Sequence, residues 1–351
     1  MKKLILFTID YPPMRGGVAR YLSALVTHFG DKVTVIAPPE HQLLSKWFWP
    51  KWVKTIFLIL KLSSKDDVVL TSHILPIGLA CRCAALVTHR KYVVFLHGMD
   101  FALARRNRLK RVITKWILKG AVLVVTNTEA LAREVRGFVK VRDLTVVHPC
   151  LSEDLLRVGA SLDRPAKQEA INLLTVARLV PRKGHSIVLD ALASIRDQGF
   201  PIPLRYYIVG DGPRYRELQE HVKALKLQDQ VIFSRNASDE QLLEYYKNAD
   251  VFVMPTEHMG RDIEGFGTVY IEAAAFGVPS IASELPGVDE AVLHDETGVL
   301  VPSNSVTDLA VAIQRLATDA ELRGRLGSNA QARAQAEFHC DTQFAKLDHL
   351  L

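Results

Sequence analysis

Short apolar runs and helical spacings take turns along the chain. LILFTI (4–9), KVTVIAP (32–38), VVLTSH (68–73), YVVFLHG (92–98) and VLVVTNT (122–128) are apolar runs of strand length, the pattern of strands covered on both faces. Between them, GGVARYLSALVTHF (16–29), ILPIGLACRCAALVTH (74–89) and EALAREVRGF (129–138) repeat apolar residues at helical spacing. Strand then helix, repeated, predicts a parallel sheet with helices on both faces. The pattern stops at VGASLDRPAKQEA (158–170), a polar stretch holding Pro165 that reads as a linker.

The alternation then restarts. INLLTVAR (171–178), RYYIVGDG (205–212), VIFS (231–234), VFVMP (251–255), PSIAS (279–283) and GVLV (298–301) read as strands. The helices include His185–Gln198, SDEQLLEYYKNA, YIEAAAFG and SVTDLAVAIQRLA, and the chain is helical from Asp319 with a break near Phe338–Asp341. The expected architecture is α/β: two tandem Rossmann-like doubly wound domains facing a cleft, one over 1–160 and one over 161–338. Ligands in such folds bind outside the carboxyl ends of the strands.

Charge sharpens the division. The 351 residues carry a net +6, but residues 1–160 hold +14 and residues 161–351 hold −8. Opposite signs in the two halves point to different partners. The opening apolar run Leu4–Phe7 is too short for the roughly 7–15 residues of a signal peptide core, and no run reaches the ~18 apolar residues of a membrane span. Of four cysteines, only Cys81 and Cys83 are close in sequence. Cys-x-Cys without nearby histidines is a poor zinc signature, so a reducing cytosol without a disulfide framework is the expectation.

Four features fall where this architecture would hold a ligand. Gly16 and Gly17, after Pro12 and Pro13, bare the backbone at a helix start; a plain strand-to-helix turn would look the same. Arg178 and Lys183 sit five residues apart on a loop after a strand, where an Arg fork and a Lys point charge can clamp a diphosphate; a solvated basic loop is the competing reading. Glu264 and Glu272 bracket Gly265, Gly267, Thr268 and Val269 at a predicted helix start whose amides suit a phosphate. His97 precedes a glycine at the end of a buried strand, a place for a functional or a structural histidine.

In their order and spacing these residues resemble the retaining GT-B-fold glycosyltransferases of the large Glu-x7-Glu nucleotide-sugar-dependent family, glycosyltransferase family 4. The likeness also takes in IVGDGP (208–213), with Gly210, GVPSIAS (277–283), and GVDEAV and TGVLV within 287–301. It implies that Arg178 and Lys183 hold the donor's distal phosphate and that Glu264 meets the transferred sugar. It places Glu272 on the ribose, and Gly267, Thr268 and Val269 with their amides on the phosphates. Gly17 would close over the diphosphate and His97 would sit near the sugar. The tail 339–351 would be a helix crossing back to the N-terminal domain. Retention without a covalent glycosyl-enzyme follows from the same resemblance, since Glu272 is taken by the ribose. With fixed cations on the diphosphate no metal or other cofactor is expected, and Asp262-Ile-Glu264 is the nearest approach to Asp-x-Asp. One departure stands out: VIFSRNASDEQL has Arg235 and Asn236 where relatives carry a glycine-bearing turn beside the base.

The basic half bears on the acceptor. LLSKWFWPKWVKTIFLILKL (43–62) sets Trp47, Phe48, Trp49 and Trp52 among lysines, and ARRNRLKRVITKWILKG (104–120) includes Arg105, Arg106, Lys110, Arg111 and Trp116. Aromatic and cationic residues on an amphipathic surface suit an anionic membrane interface, and core-packing helices with a solvated basic face are the alternative. No nucleic-acid module is present. The expectation is a peripheral enzyme on the inner face of the cytoplasmic membrane. It would move a hexose to a lipid-linked, lipopolysaccharide or polysaccharide acceptor. The stretch MPTEHMGRDIEGFGTVYIEAAAFGVP is similar to phosphatidylinositol-mannoside mannosyltransferases and favours GDP-mannose, with UDP-glucose and UDP-N-acetylglucosamine open. A UDP-N-acetylglucosamine 2-epimerase and a non-catalytic sugar-nucleotide-binding partner are the competing classes.

Overall fold

Six short, mostly apolar segments make the first sheet: β1 (Leu4–Phe7), β2 (Val33–Ile36), β3 (Val68–Thr71), β4 (Lys91–Leu96), β5 (Leu123–Thr126) and β6 (Leu144–Val146). All pair in parallel, in the order β2-β1-β3-β4-β5-β6. Successive side chains serve opposite faces. Leu4 and Leu6 pack with Tyr21, Leu22, Leu25 and Phe29, while Ile5 and Phe7 pack with Ile59, Ile77 and Phe101. The computed structural model describes residues 2–14, 16–45, 49–161, 170–257 and 264–351. It divides into two units, residues 1–150 with 340–351, and residues 151–339.

The second unit repeats the plan with β7 (Ile171–Val176), β8 (Leu204–Val209), β9 (Val231–Ser234), β10 (Val251–Met254), β11 (Ser280–Ser283) and β12 (Gly298–Val301). Its parallel order is β12-β11-β10-β7-β8-β9. Each sheet therefore has one point where the strand order turns back: between β1 and β3 in the first, between β7 and β10 in the second. Parallel α/β sheets bind ligands in the crevice at that point.

Several elements differ from the sequence expectation, each for a local reason. β1 ends at Phe7 and not at residue 9, because the Thr8 hydroxyl takes the Asp10 amide (3.0 Å) and turns the chain. β3 ends at Thr71 in the same way, with Thr71 Oγ1 accepting the His73 amide (3.3 Å). The helix expected from residue 74 is regular only over Leu79–Thr88, behind a wider turn at Ile74–Gly78 that contains Pro76. The chain leaves the first unit at Cys150, not at residue 160. A Ser152-capped helix, Glu153–Ala160, packs on the helix Thr268–Ala275 of the second unit.

The tail returns to the first unit, where Phe344, Leu347 and Leu350 enter the core beside Tyr21, Leu25 and Phe29. Cys150 and Cys340 form a disulfide, which corrects the expectation of four reduced cysteines; they are 190 residues apart, and sequence proximity held no hint of it. Cys81 and Cys83 are free. No helix of the described residues is long and apolar enough to cross a membrane.

Candidate functional site

The turn-back point of the second sheet gathers most of the predicted donor residues. The loop after β7 passes through Arg178 to a short 3-10 turn, Pro181–Lys183, and Gly184. Gly184 sits at φ +70°, and a Cβ there would lie 1.9 Å from the Pro255 carbonyl oxygen, so the loop after β7 is pressed onto the end of β10 at a position only glycine fills. The Glu257 amide donating to the Arg182 carbonyl (2.8 Å) ties the same two loops.

Glu264 is the focus of the charges. Its Oε2 accepts from Lys183 Nζ at 2.5 Å and from Arg182, and the carboxylate is only 12% exposed. Burial alone would raise its pKa; the Lys183 and Arg182 charges outweigh burial and hold it below the usual carboxylate value. Its Oε1 accepts no hydrogen bond from a described residue. Arg178 is exposed and has no ion-pair partner among the described residues. Two cations thus converge on one carboxylate, and Arg178 precedes them on the same loop. Arg182 was not singled out from the sequence, although it adjoins Lys183.

The helix Thr268–Ala275 starts at Gly267, where φ is +80° and a Cβ would lie 2.5 Å from the Tyr270 ring, so a side chain is excluded. No side chain of the described residues caps this N-terminus. Tyr270 N–H is taken by the Gly267 carbonyl, so the Thr268 and Val269 amides are the ones left for an anion. Glu272 lies within this helix. It is buried, and the Tyr246 hydroxyl donates to its Oε2 (2.7 Å). Gly210 is required by a close contact: a Cβ would meet the Ala177 carbonyl oxygen at 2.1 Å. Past β9, Arg235 pairs with both oxygens of Asp211 (2.9 and 3.0 Å) and covers the Tyr215 ring. Asn236 supplies a φ of +55°, a conformation asparagine tolerates better than most residues.

In the first unit, Gly16 and Gly17 begin the helix Gly17–Phe29 with no side-chain cap and open space at both Cβ positions. His97 follows β4. Its amide donates to Asp100 Oδ1 (2.9 Å), its ring meets Tyr21 edge-on at 5.3 Å, and Nε2 is buried with no partner among the described residues. Burial and the neighbouring His73 push its pKa down to about 4, so it is neutral at pH 7; burial raises Asp100 to about 6.

Of the acceptor-side residues, Trp47 lies outside the described residues, as does Asp262. Trp49 is exposed, and Trp52 is half-buried and packs against the core of the first unit. Arg105 pairs with Glu134 (2.5 Å) and lies over the Phe101 ring at 3.9 Å. Arg106 and Arg111 are exposed, and the Lys110 amide is taken by the Asn107 cap. The helix Arg108–Gly120 buries Thr114, Ile117 and Leu118. It exposes Leu109, Val112 and Trp116 as a stripe, with Arg108, Arg111, Lys115 and Lys119 alongside.

Comparison with known proteins matches residues 12–150 to the Glycosyl transferase 4-like domain and residues 163–333 to Glycosyl transferases group 1. The GDP-mannose-dependent alpha-(1-6)-phosphatidylinositol monomannoside mannosyltransferase of Mycobacterium tuberculosis H37Rv is 27% identical, over 100% of this chain and 98% of its own. The enzyme of the same name from Mycolicibacterium smegmatis is 28% identical, over 99% and 98%. Among solved structures, sucrose-phosphate synthase from Thermosynechococcus elongatus superposes with a TM-score of 0.79 at 22% identity, over 100% of this chain and 98% of that one.

Proposed function

The chain belongs to the GT-B glycosyltransferases built from a 4-like N-terminal domain and a group 1 C-terminal domain, enzymes that transfer a hexose, and from this premise we propose that it is a retaining mannosyltransferase that uses GDP-mannose and a glycolipid acceptor. The observation that carries the donor and acceptor is the full-length likeness to the mycobacterial enzymes named for GDP-mannose and phosphatidylinositol monomannoside. Family membership sets aside the epimerase and the non-catalytic readings.

The charges around Glu264 support a mechanism without a metal. Departure of the nucleoside diphosphate leaves negative charge on its distal phosphate. Arg178 and Lys183, with the Thr268 and Val269 amides, offer fixed positive ends for it, a form of electrostatic stabilisation that costs no reorganisation during the reaction. Glu264, kept ionised by Lys183 and Arg182, offers Oε1 to the hydroxyls of the transferred sugar. Glu272 serves the ribose, and Tyr246 is the group that would hold it. The glycosyl bond to phosphate breaks as the bond to the acceptor oxygen forms on the same face, and the acceptor's proton passes to the departing phosphate. His97, neutral and with a free buried nitrogen, would take its place beside the sugar.

For the acceptor side, the exposed apolar stripe of Arg108–Gly120 and its basic neighbours support a seat on the inner face of the cytoplasmic membrane. The deciding assay is a thermal-shift screen with GDP-, UDP- and ADP-sugars, then transfer from GDP-mannose to phosphatidylinositol monomannoside, lipopolysaccharide or polysaccharide, with the product's anomeric configuration read by NMR. Expected are stabilisation by GDP-mannose, a retained α-linkage, activity in EDTA, and a loss of about 100-fold or more in Glu264→Gln. Inversion, dependence on manganese, or transfer only from a UDP-sugar would each overturn the corresponding part.

A further inference from the structure

The turn-back point of the first sheet carries a second built polar site, and none of it follows from the donor chemistry. Four side chains at the ends of β1 and β3 join in a ring that starts and finishes on Asp10. The Asp10 amide donates to Thr8 Oγ1 (3.0 Å), and Thr8 Oγ1 lies 2.8 Å from Ser72 Oγ. Ser72 Oγ lies 3.0 Å from His73 Nδ1, and His73 Nε2 lies 3.2 Å from Asp10 Oδ2. One direction of donation satisfies every link: Thr8 to Ser72, Ser72 to Nδ1, and the Nε2 proton to the carboxylate. Thr8 is 0% and Ser72 2% exposed, and the His73 side chain is 13% exposed. The Asp10 side chain, by contrast, is 38% exposed, and its Oδ1 accepts no hydrogen bond from a described residue.

A buried network whose only outward product is one oriented carboxylate oxygen is what a recognition site for a hydroxyl requires. The hydrogen bond from His73 holds the Asp10 carboxyl below its usual value against the effect of burial, so the group is an acceptor and not a donor at neutral pH. An ionised carboxylate repels phosphate and accepts from sugar or polyol hydroxyls. The position, at the carboxyl ends of β1 and β3 where the strand order turns back, is where parallel sheets take ligands.

We propose that Asp10 binds a hydroxyl of the acceptor's polyol or sugar headgroup, and that His73 is a positioning residue that fixes the Asp10 carboxylate for it. This rests on the glycosyltransferase function stated above and adds the residue that reads the acceptor.

The test compares wild type, Asp10→Asn, Asp10→Ala, His73→Asn and the double variant Asp10→Ala/His73→Asn. Each is assayed with GDP-mannose and phosphatidylinositol monomannoside, alongside GDP-mannose hydrolysis without acceptor and thermal stabilisation by GDP. Expected is a rise of about 10- to 100-fold in the acceptor KM for both Asp10 variants, the loss of a hydrogen bond to a charged group. GDP stabilisation and acceptor-free hydrolysis stay at the wild-type level, which also shows that the variants are folded. His73→Asn shifts the acceptor KM in the same direction and by less, and the double variant is no worse than Asp10→Ala alone, because His73 acts through Asp10. An unchanged acceptor KM in Asp10→Ala overturns the proposal. So does a parallel loss of acceptor-free hydrolysis, which would place Asp10 on the donor, and so does an additive double variant, which would remove the role of His73. A wild-type protein that transfers from no nucleotide sugar overturns the functional reading itself, a result distinct from transfer that ignores Asp10.

Discussion

His97 and Asp100 are three residues apart and are displaced by burial in opposite senses. The folded histidine titrates near 4, against 6.5 when unfolded, and the folded aspartate near 6, against 3.8. Between pH 4 and 6 the unfolded state holds the extra proton at His97, so stability there rises with pH. The folded state holds it at Asp100, so stability falls with pH. Each slope integrates to about 3 kcal/mol, and in the wild type the two nearly cancel. We expect Asp100→Asn to expose the histidine slope, with the urea-unfolding free energy rising more steeply from pH 4 to 6 than in wild type. His97→Gln should tilt it the other way. Two variants with the same pH dependence as wild type would show that neither group is buried as described. Legibility at this scale follows sequence distance. His97, Arg178, Lys183 and Glu264 were readable because each sits in a short local pattern of glycines and strand ends. Asp10 and His73 were not, since the two lie 63 residues apart and meet only because β1 and β3 are neighbours.

Amphipathic spacing made the helix Arg108–Gly120 predictable, but it did not say which apolar residues would stay outside. The structure answers this. Thr114, Ile117 and Leu118 face the core, while Leu109 and Val112 remain 69% and 66% exposed. The adjoining helices add to the same exposed apolar character, with Phe57 on Val53–Leu62 and Leu86 and Val87 on Leu79–Thr88. A helix that only packed on the sheet would not need an exposed stripe of this kind beside a row of cations. The expected outcome is co-sedimentation of the protein with vesicles containing anionic lipid at low salt, weakened by added salt. Leu109→Ser/Val112→Ser should reduce it, as should Arg108→Gln/Arg111→Gln/Lys115→Gln, while GDP stabilisation stays unchanged. Binding that survived both sets would remove this helix as the membrane contact. Strands were legible for a simpler reason: a strand buried on both faces must be apolar throughout. The edge strand β6, whose residues are only half-buried, was not marked out by the sequence, and the ends of β1 and β3 were set by threonine side chains that carry no hydrophobic signal.

At the scale of the whole chain, the two crossings between the units run side by side. Leu151 bridges to His339 and its amide donates to the Phe338 carbonyl (2.8 Å), while the adjacent residues Cys150 and Cys340 are joined covalently. The disulfide therefore closes a loop that contains the entire second unit, residues 151–339. It also pins the start of the tail whose Phe344, Leu347 and Leu350 fill the core around Tyr21 and Phe29. In the chain-entropy account, closing a loop of this length restricts the unfolded state by about 5 kcal/mol, an upper value because the tail's own packing already holds the crossing together. Hydrogen bonds of Gln343 and Lys346 to the 146–148 segment belong to that packing and would persist without the covalent link. Cys150→Ser should consequently fold and keep GDP stabilisation, yet unfold at a lower temperature than the oxidised wild type. Dithiothreitol should bring the wild type down to the variant's midpoint and leave the variant where it is. If reductant moves both equally, or neither, the cysteines are not the source of the difference, and the tail is held by its apolar contacts alone.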